Sequence, residues 1–205
     1  MELKNAKINF LGDSITEGQG YKSYVEIIKE KYNLKTANIC GLGGTRIAKQ
    51  SNPSTPIRFD YYFGLRAKVI SKDVDAVVVF GGTNDYSTGD SKMGDINSTD
   101  IHTFYGALNT LISDLKNDFP HSKIIFMTPI RRAGEQNRNH NGKILEDYVN
   151  AVIDVTKKHN VPVIDLFRSD IFNPNDKNFL PDGLHPNNEG QAILADYIAK
   201  ELMKI

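Results

Sequence analysis

Short β-branched apolar runs alternate along the chain with longer stretches whose apolar residues recur at helical spacing. Residues 7–11 predict a first strand that ends at Gly12, and residues 21–32 a helix carrying Tyr21, Val25, Ile28 and Tyr32 on one stripe. A second strand over 36–39 runs into the glycine-rich 41–44. Residues 75–80, nearly all apolar, read as a central strand covered on both faces, and they end in Gly81 and Gly82. Phe104, Leu108, Leu111, Ile112, Leu115 and Phe119 share one face of a helix over 101–119 that Pro120 stops. A fourth strand (123–128), a helix marked by Leu145, Val149, Val152, Ile153 and Thr156, a fifth strand (161–166) and a closing helix around Ile193, Leu194, Tyr197, Ile198 and Leu202 complete the series. Strands alternating with helices imply a parallel sheet covered on both faces, an open three-layer α/β domain.

In such a fold, ligands sit beyond the carboxyl ends of the strands, near the switch in strand order. That rule selects 12–18, 41–46, 81–85, 129–142 and 168–185 as the segments to read for chemistry. Composition narrows the rest. The 205 residues are 40% hydrophobic and 24% charged, ordinary for a globular chain and expected to form a single domain over 1–205. Lys+Arg and Asp+Glu both number 25, and neither half of the chain is lopsided. No basic face is large enough to predict nucleic-acid binding, and no polybasic patch predicts a membrane surface. The longest apolar runs fall far short of the about 20 residues that span a bilayer, so no membrane insertion is expected. The N-terminus lacks a signal-peptide pattern and Cys40 has no partner for a disulfide, which together predict a cytoplasmic protein. Cys40 reads as a buried structural thiol.

Candidate chemistry begins at the turn after the first strand. Gly12, Asp13 and Ser14 place a serine where a strand passes into a helix, so that its hydroxyl stands over the sheet edge and its own N–H faces outward. By themselves Asp13 and Ser14 are also what a plain helix cap uses. The Gly-x-Ser-x-Gly elbow is absent, because position 16 is Thr. Asp182, three residues before His185, can hold the imidazole in one tautomer, although a lone Asp-x-x-His is also an ordinary turn. Gly43, Gly44 and Thr45, and then Gly82, Thr83, Asn84 and Asp85, each follow a strand; they offer close backbone approach and a side-chain donor. Jointly these blocks are far less ordinary than any one of them. His102, His121, His140 and His159 are scattered without metal-ligand spacing, and the glycines at 41–44 lack the full dinucleotide pattern.

With these four blocks in this order, the chain resembles the SGNH hydrolase superfamily, the GDSL-type esterases and lipases, over roughly residues 7 to 200. Ile15 stands where the family name has Leu. The resemblance implies a flavodoxin-like, mostly parallel sheet of about five strands. It implies Ser14 as nucleophile, His185 as general base and Asp182 as its orienting carboxylate. The oxyanion hole would comprise the N–H groups of Ser14 and Gly44 and the Asn84 amide, with Gly43 as the alternative register. No metal or organic cofactor is required.

Three polar loops flank the expected site: 86–100, 129–143 and 168–180. None carries the apolar groove of a long-chain lipase, which favours a small-molecule ester with a short acyl group, acetyl first, on a polar alcohol such as an acetylated carbohydrate. Tyr61, Tyr62, Phe63 and Tyr86 offer stacking surfaces for a sugar, or else pack the 53–66 loop onto the body. Arg131, Arg132, Arg138 and Lys143 against Glu135 make the second loop basic, suited to an anionic substrate or simply solvated. A thioesterase or lysophospholipase with the same serine chemistry, and a non-catalytic glycan-binding module, are the competing readings. Oligomeric state is left open by the sequence.

Overall fold

The computed structural model describes residues 1–205. Five strands, β1 (Lys7–Gly12), β2 (Thr36–Gly41), β3 (Ala76–Phe80), β4 (Lys123–Met127) and β5 (Val163–Ile164), form one all-parallel sheet in the order β2-β1-β3-β4-β5. This is the flavodoxin-like order, with its switch point where β1 lies between β2 and β3. Seven α-helices, α1 (Ser14–Glu17), α2 (Tyr24–Tyr32), α3 (Phe63–Ala67), α4 (Thr83–Ser87), α5 (Phe104–Asp118), α6 (Leu145–Lys158) and α7 (Asn188–Lys204), and a 3-10 helix over Ile57–Asp60 complete the chain.

Alternation along the strands divides the core in two. Leu11, Val77, Val79, Ile124 and Phe126 pack with α3, α5 and α6, whereas Ile8, Phe10, Ala76, Val78, Ile125 and Met127 pack with α2 and α7. Every residue of β3 is buried, as its uninterrupted apolar run requires. Capping residues move several helix starts away from the apolar pattern. The helix expected from Tyr21 begins at Tyr24, because Ser23 caps it in a box with Glu26. Thr103 delays α5 and Asn187 advances α7 by the same means. The fifth strand shrinks to two residues; it is an edge strand, and Pro162 has no N–H to donate. Cys40 is only partly buried, a correction that follows from β2 being the opposite edge. No helix is long and apolar enough to cross a membrane.

Register brings the motif blocks to one end. Gly12 lies level with Gly41 on one side and with Phe80 on the other, and Phe80 is level with Met127. The segments after β1, β2, β3 and β4 therefore all emerge at the same sheet edge.

Candidate active site

Gly12 closes β1 where a Cβ would lie 2.0 Å from Thr16 Oγ1, so only glycine lets α1 fold back so tightly. Asp13 caps α1 by accepting the Ile15 N–H at 3.0 Å. Ser14 is the first helical residue, so its N–H has no intrahelical acceptor. Asp13 is enclosed, and burial pushes its carboxyl up to about 6, against the opposing pull of the Ile15 N–H and the nearby His185 and Arg66.

Ser14 Oγ lies 2.8 Å from His185 Nε2, and His185 Nδ1 lies 2.6 Å from Asp182 Oδ2. The carboxylate can only accept, so it fixes the proton on Nδ1 and leaves Nε2 to accept from the serine hydroxyl. The other carboxylate oxygen, Asp182 Oδ1, accepts the backbone N–H groups of Leu184 at 2.9 Å and His185 at 2.7 Å. Partial burial would raise the Asp182 carboxyl, but the bonds from the His185 ring and these two amides hold it below the usual carboxylate range. Gly183 has φ +80°, which lets this turn close against Ala133.

The serine and histidine come from opposite ends of the chain and are joined by a residue that the sequence does not single out. Gln191, buried in the first turns of α7, accepts the Tyr24 N–H at 2.8 Å and donates to the Ile15 carbonyl at 3.3 Å. Its amide fixes the helix that follows His185 against the segment carrying Ser14.

Beside Ser14 the backbone of 42–45 separates the two glycine registers. Gly43 N–H is engaged, donating at 2.8 Å to Glu17 Oε2. Gly44, at φ +77°, has no acceptor within the protein for its N–H. Asn84 Nδ2 donates to the Thr45 carbonyl at 3.0 Å, which uses one of its two amide hydrogens. Asp85 holds the same loop by accepting from Ile47 and Ala48 N–H at 3.0 and 2.9 Å, and burial pushes its carboxyl up to about 6. Arg66 ties the strand ends together. It donates to the carbonyls of Gly12 and Cys40 and to Thr45 Oγ1, stands over the Phe63 ring, and is pushed down to about 10 by burial.

The aromatic candidates for stacking are sorted by burial. Phe63 is fully enclosed beneath Gly81, and Tyr86 packs on Tyr148 with its hydroxyl donating to the carbonyls of Gly134 and Asn137. Neither ring is free to stack on a ligand. Tyr61 is exposed and Tyr62 is partly so. Phe59, not singled out by the sequence, lies directly on Gly44, where a Cβ would meet its ring at 2.2 Å. No group of three or more His, Cys, Asp or Glu side chains is arranged to hold a metal ion.

Comparison with known proteins agrees with this fold. The model of the GDSL-like lipase/acylhydrolase family matches residues 10–193, and the chain belongs to that family. One solved crystal structure is 31% identical, with 100% of this chain and 99% of that chain covered at a TM-score of 0.86. A lipase/acylhydrolase from Enterococcus faecalis is 25% identical over 97% of this chain and 96% of its own, at a TM-score of 0.69. The acetyl xylan esterase AlAXEase is 23% identical over 95% and 98% respectively, at 0.66. Among curated protein sequences nothing matches the chain.

Proposed function

We propose that this GDSL-like acylhydrolase is a serine esterase that releases a short acyl group, acetyl first, from a polar alcohol of the carbohydrate kind. The observation that carries the reading is the hydrogen-bonded line Ser14–His185–Asp182, set beside the unengaged Gly44 N–H. Serine is a weak nucleophile at neutral pH and needs a base at its hydroxyl. His185 Nε2 removes that proton as Oγ bonds to the ester carbonyl carbon, and Asp182 stabilises the imidazolium that forms. Negative charge develops on the carbonyl oxygen, where the N–H groups of Ser14 and Gly44 and the second amide hydrogen of Asn84 can donate. Collapse of this intermediate breaks the bond to the alcohol, which takes the proton from His185. Water then attacks the acyl-serine with His185 again as base, releasing the acid and restoring the hydroxyl.

The short acyl group rests on what surrounds Ser14. Phe59 closes over Gly44, and the cleft lined by the loop after β4 holds arginine and asparagine in place of an apolar trough. A neighbour of the same fold is an acetyl xylan esterase, which supports the reading. Hydrolysis of p-nitrophenyl esters from acetyl to decanoyl tests the reading. Activity should peak at acetyl and be lost in Ser14→Ala. Equal rates for parent and variant overturn the nucleophile, and a preference for long chains overturns the short acyl group.

A further inference from the structure

The basic loop after β4 carries four cations, and the structure divides them. Arg131 is neutralised by Glu135, which is itself buried, and Lys143 pairs with Asp147 at 4.0 Å. Arg132 and Arg138 have no carboxylate partner. Both line one cleft of about 240 Å³ with Tyr86, Ser87, Asn137 and Asn139, and no acidic side chain faces it. Solvated loop charge does not account for Arg132. Its guanidinium stands against the Tyr86 ring, Nη1 donates to Thr83 Oγ1 at 3.1 Å, and Nε is enclosed with no partner at all. The protein's own groups therefore leave this guanidinium's hydrogen-bonding capacity and charge unsatisfied.

The cleft adjoins the reacting groups. Thr83 precedes Asn84, and Ala133 N–H donates at 2.7 Å to the carbonyl of Gly183, inside the turn that carries Asp182 and His185. Arg132 is thus held between the Asn84 block and that turn, close enough to feel the Asp13 and Asp182 charges. Asn137 makes no side-chain hydrogen bond within the protein, which leaves its amide free for a hydroxyl.

We infer that this cleft is a subsite for an anionic substituent on the alcohol portion of the substrate, a carboxylate or phosphate on a sugar, gripped by the Arg132 guanidinium with Arg138 at its rim. The inference rests on the esterase reading for the position of the ester, but the subsite is testable without turnover. A planar guanidinium with free N–H groups matches an oxyanion in charge and in shape. Arg138 also donates to the Gly142 carbonyl, and a neutral sugar of the same size would leave both arginines without a counter-charge.

Binding to the Ser14→Ala protein separates this claim from catalysis. Glucuronate, glucose and a glucose phosphate monoester are titrated by calorimetry or ligand-observed NMR. Glucuronate or the phosphate ester should bind at least about tenfold tighter than glucose, a difference that Arg132→Gln erases and Arg132→Lys partly restores. Whichever anion binds tighter identifies the source of the charge. Arg138→Gln should reduce the preference less. A merely structural Arg132 would shift all three ligands alike, and that result overturns the inference, as does equal binding of charged and neutral sugars to the parent site. Acetylated forms of the same sugars, given to the active enzyme, should show the same ranking in kcat/KM. Failure of the active enzyme to release acetate from any of these sugars would defeat the esterase reading while leaving the binding result intact.

Discussion

Glu17 is exposed on α1, takes no part in the proton relay, and yet bears on catalysis through one hydrogen bond. Its Oε2 accepts the Gly43 N–H at 2.8 Å, fixing the Leu42–Gly43 peptide and, through Gly43, restraining the neighbouring peptide that carries the Gly44 N–H. A hydrogen bond to a charged group contributes about 1.5–3 kcal/mol, and solvent access to Glu17 places this one at the lower end. Complete loss of one oxyanion donor costs about 3–4 kcal/mol, which sets the ceiling. Glu17→Ala should therefore lower kcat about tenfold, since about 1.4 kcal/mol is one decade in rate. KM for p-nitrophenyl acetate should move little, because the donor acts on charge that appears only in the transition state. Glu17→Gln keeps an acceptor at the same reach and should stay within about twofold of the parent, as a neutral bond contributes roughly 1 kcal/mol. Parallel steady-state kinetics of the three proteins decide the matter. A Glu17→Ala enzyme with parental kcat, or a Gln variant as slow as the Ala variant, would refute the positioning role.

Other substitutions probe the same geometry. Gly44→Ala should be strongly impairing, because φ is +77° and the new methyl would meet the Phe59 ring, whereas a methyl at Gly43 would displace only the Glu17 carboxylate 2.8 Å away and should cost about what Glu17→Ala costs in kcat; thermal melts and kcat of the pair should separate accordingly. Asp182→Asn should cut kcat by about a hundredfold or more by favouring the wrong imidazole tautomer, with the melting temperature little changed on so exposed a side chain. Asp13→Asn tests the buried charge. The folded carboxyl is raised from 3.8 to about 6, so its contribution is fully present below pH 3.8 and is lost as pH rises through 6. The uncharged variant should gain on the parent across that window, by up to about 3 kcal/mol at neutral pH, and denaturant melts at pH about 4 and about 7 measure it. A gap that does not widen with pH would contradict the buried ionised carboxylate.

The features legible in the sequence are those written locally. The apolar run 76–80 could only be a central strand, and the Asp182-to-His185 spacing places a carboxylate and an imidazole within one turn whatever the rest of the chain does. Contacts between distant segments left no comparable trace. The Glu17–Gly43 bond, which distinguishes the two glycine registers, joins residues separated by 26 positions, and Gln191 reaches Tyr24 across 167. Likewise the charge of 129–143 looks uniform in sequence, and only packing shows that Glu135 silences Arg131 while Arg132 is left without a counter-ion. Among the aromatics, the sequence points to Phe63 and passes over Phe59, yet Phe63 fills the core beneath Gly81 and Phe59 lies on Gly44. Short helices such as Thr83–Ser87 escaped because they carry no apolar period; they form where Gly82, at φ +111°, turns the chain at the end of β3.

The central claim is that Ser14 carries the acyl group between two half-reactions. Rapid mixing with p-nitrophenyl acetate should give a burst of p-nitrophenol stoichiometric with enzyme, and acid-quenched protein should yield an acetylated peptide whose modified residue is Ser14. Ser14→Ala should show neither the burst nor the label. A burst that survives in that variant, or an acetyl group mapped to any other residue of the parent, would contradict the account.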